Sequence, residues 1–143
     1  MGVGRALRAS ALLLGAGGGE DSSGGPRARI LAFTGCHVPS GAVRVHDHIG
    51  GDAEQFVVHA KTVIPKEQLP GMLESCGTTD GALQRGYDTH PMLPEAPLAW
   101  WSPPDRQLVR GVRLEQGSRV VEIVAVERDT DYAVYLKSVG REE

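Results

Sequence analysis

The segment Arg119-Val120-Val121-Glu122-Ile123-Val124-Ala125-Val126-Glu127 is rich in β-branched residues and apolar on both of its alternating faces. A strand buried on both sides belongs in the middle of its sheet. Working outward, residues 107–114 and 132–139 read as two further strands. Glu115-Gln116-Gly117-Ser118 and Arg128-Asp129-Thr130-Asp131 supply the turns between them. Such short turns join antiparallel neighbours. Upstream, Gln55-Phe56-Val57-Val58-His59-Ala60-Lys61-Thr62-Val63-Ile64 is a fourth strand. Its alternation puts Phe56, Val58, Ala60, Thr62 and Ile64 on one face. Val57, His59, Lys61 and Val63 take the other.

Between these strands, Leu69, Met72, Leu73 and Cys76 recur at i, i+3, i+4 and i+7, the apolar stripe of a short helix. Pro65 suits a first helical position and Gly77 suits the stop. Pro70 would break a helix interior, so the helix either kinks there or begins there. The expected fold class is therefore α+β: an antiparallel sheet of about four strands with one short helix on a face, or alternatively an all-β sandwich. Residues 77–106 carry five prolines and little periodicity. That is too long for an ordinary connection, and loops of this length are often functional.

The 143 residues fit one domain. A net charge of −3 and a pI near 5.9 leave no basic footprint for nucleic acid, and no run of Lys or Arg forms a polybasic patch for acidic lipids. Aromatic residues make up only 5%, so the core must be mostly aliphatic. The chain contains no Asn, which excludes Asn-linked glycosylation.

Residues 1–42 differ in texture and read as a flexible, signal-like leader and tether ahead of a single domain over 43–143. Arg5 and Arg8 precede the apolar run Ala9-Ser10-Ala11-Leu12-Leu13-Leu14-Gly15-Ala16 and a glycine triplet. This is the outline of a short secretory signal; the alternative is a Gly/Ser-rich flexible leader. The run is too short to span a bilayer.

Further on stands Phe33-Thr34-Gly35-Cys36. It resembles the lipobox of bacterial lipoproteins, in which a small residue precedes a Cys that becomes lipidated. Upstream, Glu20, Asp21, Arg27 and Arg29 interrupt the apolar stretch such a signal carries. The resemblance implies lipidation at Cys36, a tether over residues 37–42 with Pro39, Ser40 and Gly41, and membrane association through that anchor. In an exported chain that is not lipidated, Cys36 and Cys76 could instead form a disulfide. The two fates exclude each other, and a free thiol at Cys36 is the third.

Three groups of residues could carry chemistry. His46 and His48 lie two apart, hence on one side of an extended segment, and His59 or Asp52 could complete a metal site. The plainer reading is a polar loop before Gly50-Gly51. Cys76 could act as a nucleophile, but its place in the apolar stripe argues for core. No paired-acid, phosphate-loop or dinucleotide signature is present. The loop residues Tyr87, Asp88, His90, Trp100 and Trp101 combine hydrogen-bonding groups with large aromatic area. One exposed Trp would make a binding anchor. The alternative is a lid, with one Trp covering the sheet and the other packed on proline.

The stretch His46-Asp47-His48-Ile49-Gly50-Gly51-Asp52-Ala53-Glu54-Gln55-Phe56, the Trp100-Trp101 loop and the closing Ala133-Val134-Tyr135-Leu136 strand are together similar in layout to small uncharacterised bacterial proteins, several of them lipoproteins. The resemblance spans about two thirds of the chain, from 45 to 136, and implies no activity. The expectation is a non-catalytic binding module of the cell envelope, exported or membrane-anchored, with a protein or small-molecule partner and no cofactor. A small metal-dependent hydrolase using His46, His48 and His59 is the alternative function, and the cytoplasm the alternative compartment.

Overall fold

In the computed structural model, residues 25–52 and 54–141 are described. In chain order they form α1 (Pro26–Thr34), β1 (Val43–Gly51), β2 (Phe56–Pro65), a single turn at Lys66–Gln68 leading into α2 (Leu69–Cys76), β3 (Gln84–Arg85), β4 (Arg110–Gln116), β5 (Arg119–Glu127) and β6 (Asp131–Gly140). Further single turns of 3-10 helix sit at Asp80–Ala82, His90–Met92 and Arg106–Leu108. The six strands make one antiparallel sheet in the order β1-β2-β6-β5-β4-β3. The strand that is apolar on both faces, β5, is interior as its pattern predicts.

The α+β expectation of about four strands and one helix is corrected. The sheet has six strands, and the described residues hold only two short α-helices, so the fold stands closer to the all-β alternative. It is a single sheet and not a sandwich of two. The physical reason lies at the two edges. β1 reads Val-Arg-Val-His-Asp-His-Ile-Gly-Gly and, among the described residues, pairs on one side only, so it needs little apolar character. β3 is two residues long, too short for any period to show.

One face of the sheet is covered by both helices. Ile30 of α1 and Leu69, Met72, Leu73 and Cys76 of α2 pack on Ala60, Ile64, Val121, Ile123, Ala125, Val134 and Leu136. Pro70 sits in the first turn of α2, where its missing N–H breaks no bond. Gly77 ends that helix in the left-handed region, its N–H donating to Glu74 and Leu73 carbonyls.

The packed unit reaches back to Pro26, further than residue 43. Ile30 is fully buried, and Arg29 forms a two-pronged ion pair with Asp47 of β1 at 2.6 and 2.9 Å. Ser138 and Arg119 donate to the Phe33 and Ala32 carbonyls at the end of α1. Residues 1–24, with the signal-like run, lie outside the described residues. Gly35 of the lipobox-like sequence is here the left-handed cap of α1, and Cys36 after it is buried and disulfide-bonded to Cys76, their Cα atoms 4.3 Å apart. The bridge ties the end of α1 to the end of α2 over the same core.

Candidate functional site

Among the described residues no α-helix covers the opposite face of the sheet. Residues 86–109 cover it instead, packing Met92, Trp101 and Val109 on Val124, Ala133 and Tyr135. Strand register organises what lies beneath. Directly opposed residues of antiparallel strands present their side chains to the same face. One row across five strands therefore reads His48, His59, Lys137, Glu122, Arg113. The next reads His46, Lys61, Tyr135, Val124, Gly111.

The first row fastens the loop. Tyr87 donates its hydroxyl to Glu122 Oε2 at 2.5 Å. Lys137 Nζ donates to the Pro91 carbonyl at 2.8 Å. His59 Nε2 lies 2.9 Å from the Met92 carbonyl; since that oxygen only accepts, Nε2 carries the proton. Burial, the largest influence, lowers the His59 pKa, and the charges of Lys137 and His48 add to it, while the Met92 bond opposes them. The neutral imidazole is the form this site favours. Burial and the nearby Glu122 carboxylate both hold the Tyr87 phenol protonated, well above its ordinary range.

The second row carries the aromatic surface. Trp101 stands edge-on to Tyr135 at 5.1 Å and to His59 at 4.8 Å, and is 7% exposed. It is the lid over the sheet. Trp100, half-buried, stacks on His46 at 5.3 Å with planes 10° apart, and meets Trp101 at 6.1 Å. The adjacent indoles therefore divide the work, one to the core and one to the rim. Lys61 extends its ammonium over the Tyr135 ring, 5.0 Å from the centroid.

A bulge in β1 sets this arrangement. Val43 pairs with Val63 and His46 with Lys61, so β1 spends one more residue than β2 over that interval. Arg44 takes a positive φ of 54° there. The extra residue resets the alternation, so that Val45 packs toward the helix-covered core while His46 faces the loop.

The three histidines read as a metal cluster do reach one face, yet their rings diverge. His46 stacks on Trp100, His59 bonds to the Met92 carbonyl, and His48 is exposed. Among the described residues no three His, Cys, Asp or Glu side chains are grouped to hold a metal ion. Asp52 accepts the N–H groups of Glu54 and Gln55 and shapes the β1–β2 turn. Of the loop residues singled out by sequence, Tyr87, Trp100 and Trp101 meet the sheet. Asp88 and His90 are exposed and bonded to one another, the Asp88 carboxylate accepting the His90 N–H. Lys61, Glu122, Tyr135 and Lys137 were not singled out. Their signal was a charged or hydroxyl-bearing residue on an otherwise apolar strand face, but only register shows which loop group each one meets. No helix of the described residues is long and apolar enough to cross a membrane. No protein family, curated protein or solved structure matches the chain.

Proposed function

We propose that the chain is an exported, non-catalytic binding module whose working surface is the half-buried Trp100–His46 stack at the rim of the loop-covered face. The observation that carries this reading is the stack itself. A large aromatic side chain remains partly open to solvent although its neighbour Trp101 already closes the core. Exposed aromatic area on a positioned loop is the usual currency of recognition. The loop is held by three sheet side chains, which limits the ordering that binding would require. A disulfide between Cys36 and Cys76 supports an oxidising compartment.

Both tryptophans of the chain lie at this surface, so intrinsic fluorescence reports on it. A panel of small acids, sugars and short peptides, titrated against the wild type and Trp100→Ala, tests the reading. A ligand that shifts wild-type emission and melting temperature but leaves Trp100→Ala unmoved supports it. If no ligand acts, and Trp100→Ala melts as low as Trp101→Ala, Trp100 is a structural residue and the reading fails. Intact mass of the chain from its native host tests export and the state of Cys36 together. A mass two hydrogens below the reduced chain places both sulfurs in the bridge; an added diacylglycerol places Cys36 at a membrane.

A further inference from the structure

Lys61 is the one ammonium in the row His46, Lys61, Tyr135, Val124, Gly111, and that row holds no carboxylate. The described residues offer its three N–H donors no hydrogen-bond acceptor; the ammonium meets only the face of Tyr135 among them. The nearest row does contain a carboxylate, Glu122, but that group already accepts the Tyr87 hydroxyl. Asp47, next to His46 in the chain, points to the opposite face and is engaged by Arg29. The other lysine on this face, Lys137, is held by the Pro91 carbonyl. A half-buried cation is thus left beside an aromatic cluster, with Trp100 stacked on its cross-strand neighbour His46 and Trp101 in T-shaped contact with its other neighbour Tyr135.

We propose that Lys61, His46 and Trp100 form a subsite for a ring-bearing monocarboxylate, the ring lying on the Trp100–His46 surface and the carboxylate accepting from Lys61 Nζ. This rests on the reading of the loop-covered face as a binding surface, and specifies its ligand class. A single ammonium is a point charge with three donors, which matches one carboxylate. A phosphate dianion would call for a second cation or a bidentate guanidinium, and the row supplies neither. A neutral ring would gain the stacking surface but leave the ammonium unsatisfied.

The test uses benzoate and its neutral isostere benzamide, titrated by tryptophan fluorescence against the full chain with its disulfide intact. Lys61→Met keeps the length of the side chain, and Lys61→Arg keeps its charge. The expected result is that benzoate binds the wild type about tenfold more tightly than benzamide, the scale of one charge-assisted hydrogen bond. Lys61→Met should abolish that preference, Lys61→Arg should retain part of it, and Trp100→Ala should weaken both probes. Should benzoate and benzamide bind the wild type equally, the aromatic surface binds rings and the carboxylate subsite is overturned while the binding module stands. Should neither probe bind while other members of the panel do, the subsite is likewise overturned. Should no compound bind at all, both fall. A preference for benzoate that survives in a folded Lys61→Met also overturns the assignment to Lys61.

Discussion

The ring of Tyr87 lies against the bare backbone of Gly111: a Cβ on Gly111 would come within 2.6 Å of Tyr87 Cγ and 2.9 Å of the Ile123 carbonyl. Neither atom is the free end of a flexible side chain, so the neighbours cannot simply swing away. The close approach lets the Tyr87 hydroxyl reach Glu122, one strand further on. Gly111→Ala should destabilise the fold by about 1–3 kcal/mol, the usual scale of overpacking. Chemical denaturation checks this. Tyr87→Phe, which keeps the ring and loses the hydroxyl, should cost about 1–2 kcal/mol through the carboxylate left without its donor. Unchanged midpoints in both variants would mean the loop does not rest on the sheet here.

The disulfide joins segments 40 residues apart in sequence. Closing a loop of that length lowers the entropy of the unfolded chain and stabilises the fold by roughly 3–4 kcal/mol in the chain-entropy account. A Cys36→Ser, Cys76→Ser double variant should lose about that much, and a reductant should lower the midpoint of the wild type but not of the variant. The loss should be accompanied by faster amide exchange in α1, whose end the bridge holds. Equal exchange in α1 with and without the bridge would show that Arg29–Asp47 and the packing of Ile30 suffice.

Thr62 is 1% exposed, and among the described residues its hydroxyl has no hydrogen-bond partner. Its cross-strand neighbours are Val134 and, one strand further, Ala125. A buried hydroxyl without a partner is desolvated with no compensating bond. Thr62→Val preserves the branched shape and removes the polar atom, so it should stabilise the protein by about 1 kcal/mol. A lower melting temperature for this variant would imply a bond that the hydroxyl makes in solution.

Legibility in the sequence followed periodicity. β5 and the α2 stripe repeat at 2.0 and 3.6 residues and bury the side chains those periods select. The alternation of β2 placed His59 and Lys61 on one face, where the structure has them. β1 could not be read this way, because its bulge at Arg44 interrupts the alternation and its free edge tolerates polar residues. α1 lies in Gly-rich surroundings and has no apolar stripe; only Ile30 and Thr34 of it are buried, and its bonds go to Asp47, Arg119 and Ser138, far along the chain. The division between Trp100 and Trp101 was equally hidden. Adjacent identical residues have no sequence feature that says which one turns inward; the strand residues each one meets, His46 for Trp100 and Tyr135 for Trp101, decide it.

His59 gives the pH dependence its sign. The residue is 3% exposed, and burial holds its pKa below the ordinary 6.5. In the unfolded chain the same imidazole takes up a proton as pH falls through about 6.5. The folded chain resists, so over that window the unfolded state binds more protons and stability declines with falling pH. The stabilisation is complete above the unfolded pKa, is lost progressively below it, and stops changing once the folded pKa is passed. Protonation would also set a second positive charge near Lys137 and beneath the edge of Trp101. The melting temperature should therefore drop between pH 7 and pH 5. In His59→Gln the amide can still donate to the Met92 carbonyl but does not titrate, so the slope of its melting temperature over the same range should be shallower, whatever its absolute value. Parallel slopes for the two proteins would remove His59 as the group responsible.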